Sequence, residues 1–440
     1  MILIVDINHG GLDVAIEYKH DFPDEKIYLW DIYGKLRDKN FVEKNIFKIK
    51  SVDEIIPYSK KPNFSDYNEI IAPIHCPINV EFKSFHQFVS EIIKKRYGNL
   101  YKKFITITGV KGKTTTSEMV YSILNEDYNV FLNNSNRGSI TPISVLNSIN
   151  NLNDLEMLGD YDYFIFEVSL GLVSSKYGII TNIIENYPVG RYLRDAKFCK
   201  LSTVGNCDNV YSNKDLEKDT DLYNLDNVKF VGGNFNILSK YPIEYEYDNK
   251  TIKLNDSLFG LHNIENSIFA YEVCKNIMEE DIIIERLGSI YIPNRMSIEK
   301  IPINRSISNI SDTIYNNKNI NNFIKNNIKW NKEIYIIKNI NPGLNLKSIE
   351  YSIRDFLSVF PNNCQIVVGG DEGCTCEDID VKKLSEIIKK YSNDDINYLL
   401  VSDIGLKLKE YLNYPIYANL DDKNIKLTKN TLIIYRKKIN

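Results

Sequence analysis

No apolar run in this 440-residue chain is long enough to span a bilayer. Its first residues, Met1-Ile2-Leu3-Ile4-Val5-Asp6, lack both the basic start and the length of a secretory signal and read as a strand. The expectation is a cytoplasmic protein. A basic excess is also missing: 54 Lys and Arg against 58 Asp and Glu leave a net charge of −4, with no broad positive surface for nucleic acid. The seven cysteines, an odd number spread along the chain, fit a reducing compartment rather than a disulfide framework. Cys374 and Cys376 form a Cys-x-Cys pair, but no second pair or nearby His completes a zinc site. With 43% apolar and 25% charged residues, the chain has room for two or three domains with proper cores.

What is present centres on Ile105-Thr106-Ile107-Thr108-Gly109-Val110-Lys111-Gly112-Lys113-Thr114-Thr115-Thr116. A β-branched run from Phe104 ends in a Gly-containing turn, and a helix-compatible segment runs from Thr115 to Leu124. Strand, loop, helix N-terminus is the geometry of a phosphate cradle. The glycines let backbone N–H groups close on an anion, Lys113 can reach terminal phosphates, and the Thr114 hydroxyl suits Mg²⁺. The Gly that the common phosphate loop carries five residues before Gly-Lys is absent, because position 107 is Ile. This is the shorter Thr-Gly-x-x-Gly-Lys-Thr-Thr form.

Upstream, residues 1 to about 95 alternate strand and helix signals: Ile2 to Val5, a helical stretch Leu12 to Tyr18, Ile27 to Trp30, and Glu69 to Ala72. Repeated strand-turn-helix units imply a small parallel α/β domain, whose binding residues gather beyond the carboxyl ends of the strands. That rule places Asp6, His9, Gly10, Gly11, Asp31, His75 and Cys76 near one edge, with His9, Gly10, Gly11 and His75 as candidate substrate contacts. A helix pattern from Phe85 to Lys95 leads to the loop. Beyond it, Asn129 to Leu132 reads as a strand. The polar segment Asn134 to Pro142 follows, with Arg137 as its one strong anion donor. The run Tyr161 to Ser169 reads as a buried parallel strand in which Glu167 needs a partner or a metal. From Asn304 to Asn331 ten asparagines leave no sustained period. Strand, loop, helix and strand return over Glu333 to Ile337, Asn339 to Asn345, Leu346 to Phe360 and Gln365 to Val368. Gly369-Gly370-Asp371 follows, and Leu399 to Asp403 and Leu432 to Tyr435 complete the sheet.

The short loop resembles the ATP loop of the Mur ligases, the ATP-dependent amide-bond ligases of cell-wall assembly and their relatives. The resemblance runs from about residue 100 to 375. It implies a three-domain α/β architecture: a Rossmann-like N-terminal domain (1–95), a P-loop-type ATPase domain (96–293) and a Rossmann-like C-terminal domain (294–440) that closes over ATP. It implies ATP and Mg²⁺, with Thr108, Gly109, Val110, Lys111, Gly112, Lys113, Thr114 and Thr115 around the phosphates. Thr114 and Glu167 would hold the metal, and Lys113 and Glu167 would be catalytic. The pair Thr181-Asn182 also looks like the family, although the acidic-histidine stretch usual after it is replaced by Ile184-Glu185-Asn186-Tyr187-Pro188. Several relatives carry a carbamylated lysine in a Tyr-x-x-Ala-Lys context. Here Tyr192 to Lys200 makes Lys197 the best match, a third catalytic candidate, with Lys200 competing.

Gly260-Leu261-His262-Asn263-Ile264-Glu265-Asn266 is similar to the family's Gly-x-His-Asn-x-x-Asn beside the adenine, which implicates His262, Asn263 and Asn266. Pro293-Asn294-Arg295-Met296 resembles the Pro-Gly-Arg-Met linker, with Asn294 able to keep the left-handed turn and Arg295 facing phosphate. The family's Asp-x-Ala-His-x-Pro has become Lys338-Asn339-Ile340-Asn341-Pro342, so Asn341 is the residue left to face the nucleotide there. Ser311-Asp312-Thr313 is a poor match to the ribose-binding Asp.

The acceptor follows from resemblance alone. Asp6 to Gly11, Asp31 to Gly34, Pro73 to Pro77 and Asn341 to Asn345 look most like one archaeal branch of the family. That branch closes the last ring of coenzyme F-430, the nickel tetrapyrrole of methanogens (15,17(3)-seco-F-430-17(3)-acid to coenzyme F-430). ATP would there activate a propionate as acyl phosphate, and a ring carbon would capture it. Two alternatives stand beside it: a ligase adding an amino acid to a murein or pseudomurein peptide precursor, and a nucleotide-binding protein without ligase activity. The partners implied are small molecules, neither nucleic acid nor membrane, and a monomer or homodimer.

Overall fold

The computed structural model describes residues 1–183, 186–191, 193–218, 226–302, 333–373 and 379–438. The Asn-rich segment, Asp312, Glu185, Tyr192, Cys374 and Cys376 therefore lie outside the described residues. Two compact units are present: 1–233 with 265–283, and 234–264 with 284–440.

The first unit holds two parallel sheets. Strands β1 (Ile2–Val5), β2 (Ile27–Trp30), β3 (Glu54–Ile56), β4 (Glu69–Ala72) and β5 (Lys83–Ser84) are ordered β3-β2-β1-β4-β5. The first strand lies in the middle, so the order reverses between β1 and β4, the position at which open parallel sheets commonly take a ligand beyond their strand ends. Helix α1 (Leu12–Asp21) follows the β1 turn. Helix α2 (Phe85–Tyr97) is started by a capping box, with Ser84 accepting from Gln87 N while the Gln87 side chain accepts from Ser84 N.

The second sheet follows in the chain as β6 (Phe104–Thr108), β7 (Val130–Asn133), β8 (Tyr163–Glu167) and β9 (Ser175–Ile180). A short antiparallel pair, β10 (Pro188–Val189) and β11 (Arg194–Asp195), precedes β12 (Cys207–Asn213) and β13 (Val228–Val231). The six parallel strands are ordered β13-β12-β9-β6-β8-β7, so β6 lies between β9 and β8. All five residues of β6 are buried, as a strand covered on both faces requires. Helices α3 (Lys113–Leu124) and α4 (Pro142–Asp154) belong to this sheet. Helix α3 begins at Lys113 rather than Thr115, because Gly112 at φ 86° makes the turn immediately before it.

Phe104 meets the rings of Phe164 and Phe166 at 5.4 Å each, in a core that also contains Phe85 and Phe88 of α2. Phe104→Ala leaves a cavity that these rings cannot collapse to fill. We expect a loss of about 3–5 kcal/mol in denaturant unfolding.

The second unit carries a small antiparallel sheet of β14 (Asn236–Lys240), β15 (Ile243–Tyr247) and β16 (Lys250–Lys253). Its larger sheet is ordered β17-β18-β22-β19-β20-β21, from β17 (Arg295–Pro302), β18 (Glu333–Ile340), β19 (Cys364–Gly370), β20 (Ile396–Val401), β21 (Ile416–Tyr417) and β22 (Asn430–Arg436). Only β17 runs antiparallel to its neighbour. Helix α5 (Ala196–Leu201) belongs to the first unit, and α6 (His262–Cys274) spans the boundary at Ile264 and Glu265. Helix α7 (Leu346–Val359), capped by Asn345 and Ser348, packs Ile353 and Phe356 into the core with Ile366, Leu400 and Leu432. The described helices include none long and apolar enough to cross a membrane.

Candidate active site

The Gly-containing loop sits between β6 and α3 and is fastened from the end of β9. Asn182 O accepts from Val110 N at 2.8 Å, and Asn182 Oδ1 accepts from Lys111 N at 3.1 Å. The Thr181 hydroxyl donates to Lys111 O. Glycine is required at two points. A Cβ at Gly109 would stand 2.0 Å from Thr181 Oγ1, and one at Gly112 would stand 2.3 Å from Asn266 Oδ1; both residues have positive φ. The sequence pair Thr181-Asn182 thus acts mechanically, by fixing the shape of the bend. Asn266 lies on the other side, 3.4 Å from the Thr116 hydroxyl.

At the helix start, Lys113 Nζ curls back to Gly109 O (3.2 Å) and lies 3.8 Å from Glu167 Oε1. The Thr114 hydroxyl donates to Glu167 Oε2 at 2.9 Å, and Ser135 N donates to the same oxygen at 3.1 Å. Ser135 Oγ meets Thr114 Oγ1 at 2.8 Å. Glu167 is 2% exposed at the end of β8. A buried carboxylate, two hydroxyls and a lysine therefore converge beside the phosphate loop. The donor set is all oxygen, which suits a hard divalent cation. Ser135 was not singled out by sequence, because its contact to Glu167 is made through the backbone.

The candidate substrate residues meet at the other sheet. His9 follows β1 and His75 follows β4, and their rings stand edge to face with centroids 4.8 Å apart. His9 Nδ1 is hydrogen-bonded to Asp6 Oδ2, and Asp6 Oδ1 accepts from Asn8 N at 2.8 Å. Asp6 itself is buried, at a φ of 78° that is strained for a non-glycine residue. Gly10 and Gly11 let the chain fold back here: a Cβ at Gly11 would stand 2.0 Å from Asp6 O, and one at Gly10 would stand 2.7 Å from Ile143 Cγ2. Asp31 is spent locally, accepting from Lys35 N and Leu36 N. Burial pushes the His75 imidazole down to about 4, so it is neutral near pH 7.

The turn between β10 and β11 packs on this cluster. Arg194 donates to Cys76 O and to Ile78 O, and a Cβ at Gly190 would meet His75 O at 2.3 Å. The Arg191 guanidinium lies over Tyr33 at 5.7 Å, and Tyr33 stands edge-on to His9 at the same separation. A cavity of about 600 Å³ opens beside it, lined by Ile78, Pro188, Leu193, Arg194 and Phe198 among others. Leu193 and Phe198 are 56% and 51% exposed, an apolar wall beside Arg194, Asp195, Asn79 and Asn186. Neither arginine was picked from sequence, where this run was read for its lysines. Lys197 is half-buried on α5, whereas Lys200 is 1% exposed with its ammonium over the Tyr187 ring. Arg137 extends along α3, to Glu118 at 3.4 Å and over Tyr121.

The remaining candidates belong to the second unit. His262 Nδ1 lies 3.8 Å from Asp355 Oδ2, and Asn263 Nδ2 donates to Phe259 O at 2.8 Å. Asn294 takes φ 62°, the left-handed turn that its place before Arg295 calls for, and Arg295 then opens β17 opposite Asn339. The altered motif is built into the sheet: Lys338 pairs with Glu299 at 2.9 Å, Asn339 donates to Ser352, and Asn341 donates to Asn339.

Buried His86 ties the two sheets of the first unit together through a 2.9 Å bond from Nε2 to Ser169 O. Its Nδ1 meets no hydrogen-bond partner among the described residues, so protonation would bury an uncompensated charge. Burial holds this imidazole down to about 4, only partly opposed by the Ser169 carbonyl. The unfolded chain takes up the proton below about 6.5, while the folded chain refuses it until about 4. Its stability is therefore complete above that range and falls as the pH drops through it. From His86 alone we expect a loss of roughly 3 kcal/mol across that interval, with His75 adding in the same direction, seen in urea midpoints. His86→Gln should flatten the slope.

A phosphate bend on a central parallel strand, with a Thr hydroxyl meeting a buried Glu from the next strand, fits a nucleotide site, and comparison with known proteins makes the class that of ATP-dependent ligases of the Mur type. Residues 107–187 match the Mur ligase middle domain, and residues 328–438 match the C-terminal domain of coenzyme F430 synthetase CfbE. Among solved structures, MurF from Acinetobacter baumannii is similar in fold with a TM-score of 0.53 at 14% identity, covering 84% of this chain and 81% of that one. MurF ligase from Thermotoga maritima, solved in complex with ADP, gives 0.51 at 15% identity, covering 94% and 91%. The coenzyme F(430) synthetase of Methanocaldococcus jannaschii is 39% identical over 446 residues, 100% of this chain and 99% of its own. The chain belongs to the coenzyme F(430) synthetase family.

Proposed function

We propose that this chain uses ATP to activate a propionate of the nickel seco-tetrapyrrole as acyl phosphate, which a neighbouring ring carbon captures to close the last carbocycle of coenzyme F-430. The observation that carries the phosphoryl-transfer part is the meeting of Lys113, Thr114 and Glu167 at the loop. Lys113 and the loop N–H groups would hold the terminal phosphates. Thr114 and Glu167 would hold Mg²⁺, which when bound supplies charge neutralisation around the transferred group. The glycine positions fit this, because a Cβ at either would fill the bend. Asn266 would flank the nucleotide from α6, and nucleotide roles for His262, Asn263, Arg295 and Asn341 rest on the family resemblance of their motifs.

The macrocycle belongs in the crevice of the first sheet. Leu193 and Phe198 in the 600 Å³ cavity would offer an apolar wall to its face, with Arg194 at the cavity and Arg191 over Tyr33 as cations for its carboxylates. Arg137, paired with Glu118, is a substrate candidate through its sequence loop alone. The carbamate assigned by resemblance to Lys197 has a rival in Lys200, which is the more buried of the two. The three-domain division near residues 95 and 293, and a cytoplasmic location, are part of the same proposal.

The test is ADP release with the nickel seco-tetrapyrrole, compared with a panel of amino acids. Release that depends on the tetrapyrrole, with a new carbocycle in the product, supports the reading. Release driven by amino acids alone overturns it.

A further inference from the structure

Ring closure by carbon has a requirement that phosphoryl transfer does not meet. As the ring carbon bonds to the activated carboxyl carbon, the bond from that carbon to the phosphate oxygen breaks and phosphate leaves with the electron pair. The ring carbon must then give up its own proton. We propose that His9, oriented by Asp6, is the general base that receives that proton. The assignment rests on the tetrapyrrole reading above. The step needs no oxidant or reductant, and the proton passes from carbon to His9 Nε2.

The arrangement is that of a base with its orienter. Asp6 is buried and takes the Nδ1 proton of His9, which fixes the tautomer that leaves Nε2 as the acceptor and would stabilise the imidazolium once formed. Asn8 Nδ2 lies 3.4 Å from Nε2, consistent with an acceptor there. The His9 side chain is 31% exposed beyond the end of β1, so its outer edge is open to solvent while Asp6 is sealed. The groups facing the pair are His75, Tyr33, and Arg191 beyond Tyr33. Half-buried His75 is held neutral by desolvation, so it neither competes for the proton nor adds a second charge beside an imidazolium.

Position supports the role. Both sequence glycines after His9 are needed to return the ring over Asp6, and Gly10 lies against Ile143 at the start of α4. The loop that enters α4 also supplies Ser135 to Glu167 and Ile140 O to Ser169 N. The loop and the first turn of α4 that it enters therefore touch the phosphoryl-transfer cluster and the histidine turn respectively.

The experiment is a single turnover of the full chain with ATP and the nickel seco-tetrapyrrole, quenched for ADP and for closed product, with hydroxylamine present in a parallel run. For His9→Gln, compared at saturating tetrapyrrole, we expect ADP formation to fall far less than ring closure. Ring closure should fall about 10²-fold or more, and the stranded acyl phosphate should be captured as hydroxamate. Asp6→Asn should slow closure less and move the limb of its pH profile to lower pH, a shift that a packing defect would not produce. ATP binding and circular dichroism check that both variants fold, and His9→Asn serves if His9→Gln does not. Closure that keeps pace with wild type overturns the proposal. So does ADP formation that falls as far as closure, which would make His9 a binding residue. Tight one-to-one uptake of Zn²⁺ by the resting protein, lost in His9→Gln, overturns it as well, because a ligated Nε2 cannot accept a proton. A wild-type protein that forms no ADP with the tetrapyrrole overturns the parent reading and this one together.

Discussion

Lys113→Ala loses ATP turnover by about 10³-fold or more in kcat while the protein melts as before. The ammonium lies within 3.2 Å of Gly109 O and 3.8 Å of Glu167, so it is already gathered over the place where terminal phosphate charge would develop. No neighbour can replace it, because Lys111 is on the far side of the Gly112 turn and its own N–H is tied to Asn182. Lys113→Arg should not restore the rate, since a planar fork does not fill the space of a compact point charge. Glu167 keeps its bonds from Thr114 and Ser135 in the alanine variant, which is why the fold should tolerate the change. ADP release beside a thermal melt checks both halves, and near-normal turnover would remove the cradle assignment.

The second large effect concerns the carboxylate. Glu167→Gln keeps the shape and an acceptor for Thr114 and Ser135 but removes the negative charge. We expect kcat to fall about 10²-fold and the Mg²⁺ midpoint to rise at least about tenfold, with little change in stability. A magnesium titration of the two proteins side by side decides it. Superimposable curves would mean that Glu167 is a structural partner of Lys113 and not a metal ligand.

Much of this architecture was legible from residue types. Strands such as Glu69–Ala72 and Ile27–Trp30 are β-branched or aromatic runs closed by Pro or Asp, and the structure places them at those residues. His9 and His75 were put at one edge by the rule for parallel sheets, and β1 and β4 are indeed neighbours. The sheet of β14 to β16 was not foreseen, because β14 is almost wholly exposed and carries no apolar run to betray it. Contacts made by the backbone were equally hidden. Ser135 N on Glu167, Asn182 O on the loop, and the carbonyls of Cys76 and Ile78 under Arg194 leave no mark on side-chain identity. The loop pattern gave the roles of Lys113 and Thr114 and family resemblance that of Glu167, whereas the His9–Asp6 pair needed coordinates, since residues three apart in a turn can point anywhere.

Five cysteines, at positions 76, 199, 207, 274 and 364, are buried as thiols. For Cys199 and Cys207 burial pushes ionisation up to about 11, and for Cys76 and Cys364 it acts in the same direction. A thiol that is both sealed off and protonated is a poor nucleophile. Alkylating reagents should therefore reach these sulfurs only when the surrounding layer opens. Cys76 would time the opening of the first sheet and Cys207 that of the second, while Cys364 would time the large sheet of the other unit. The polypeptide thus carries its own clocks for local unfolding, readable peptide by peptide in a mass spectrometer.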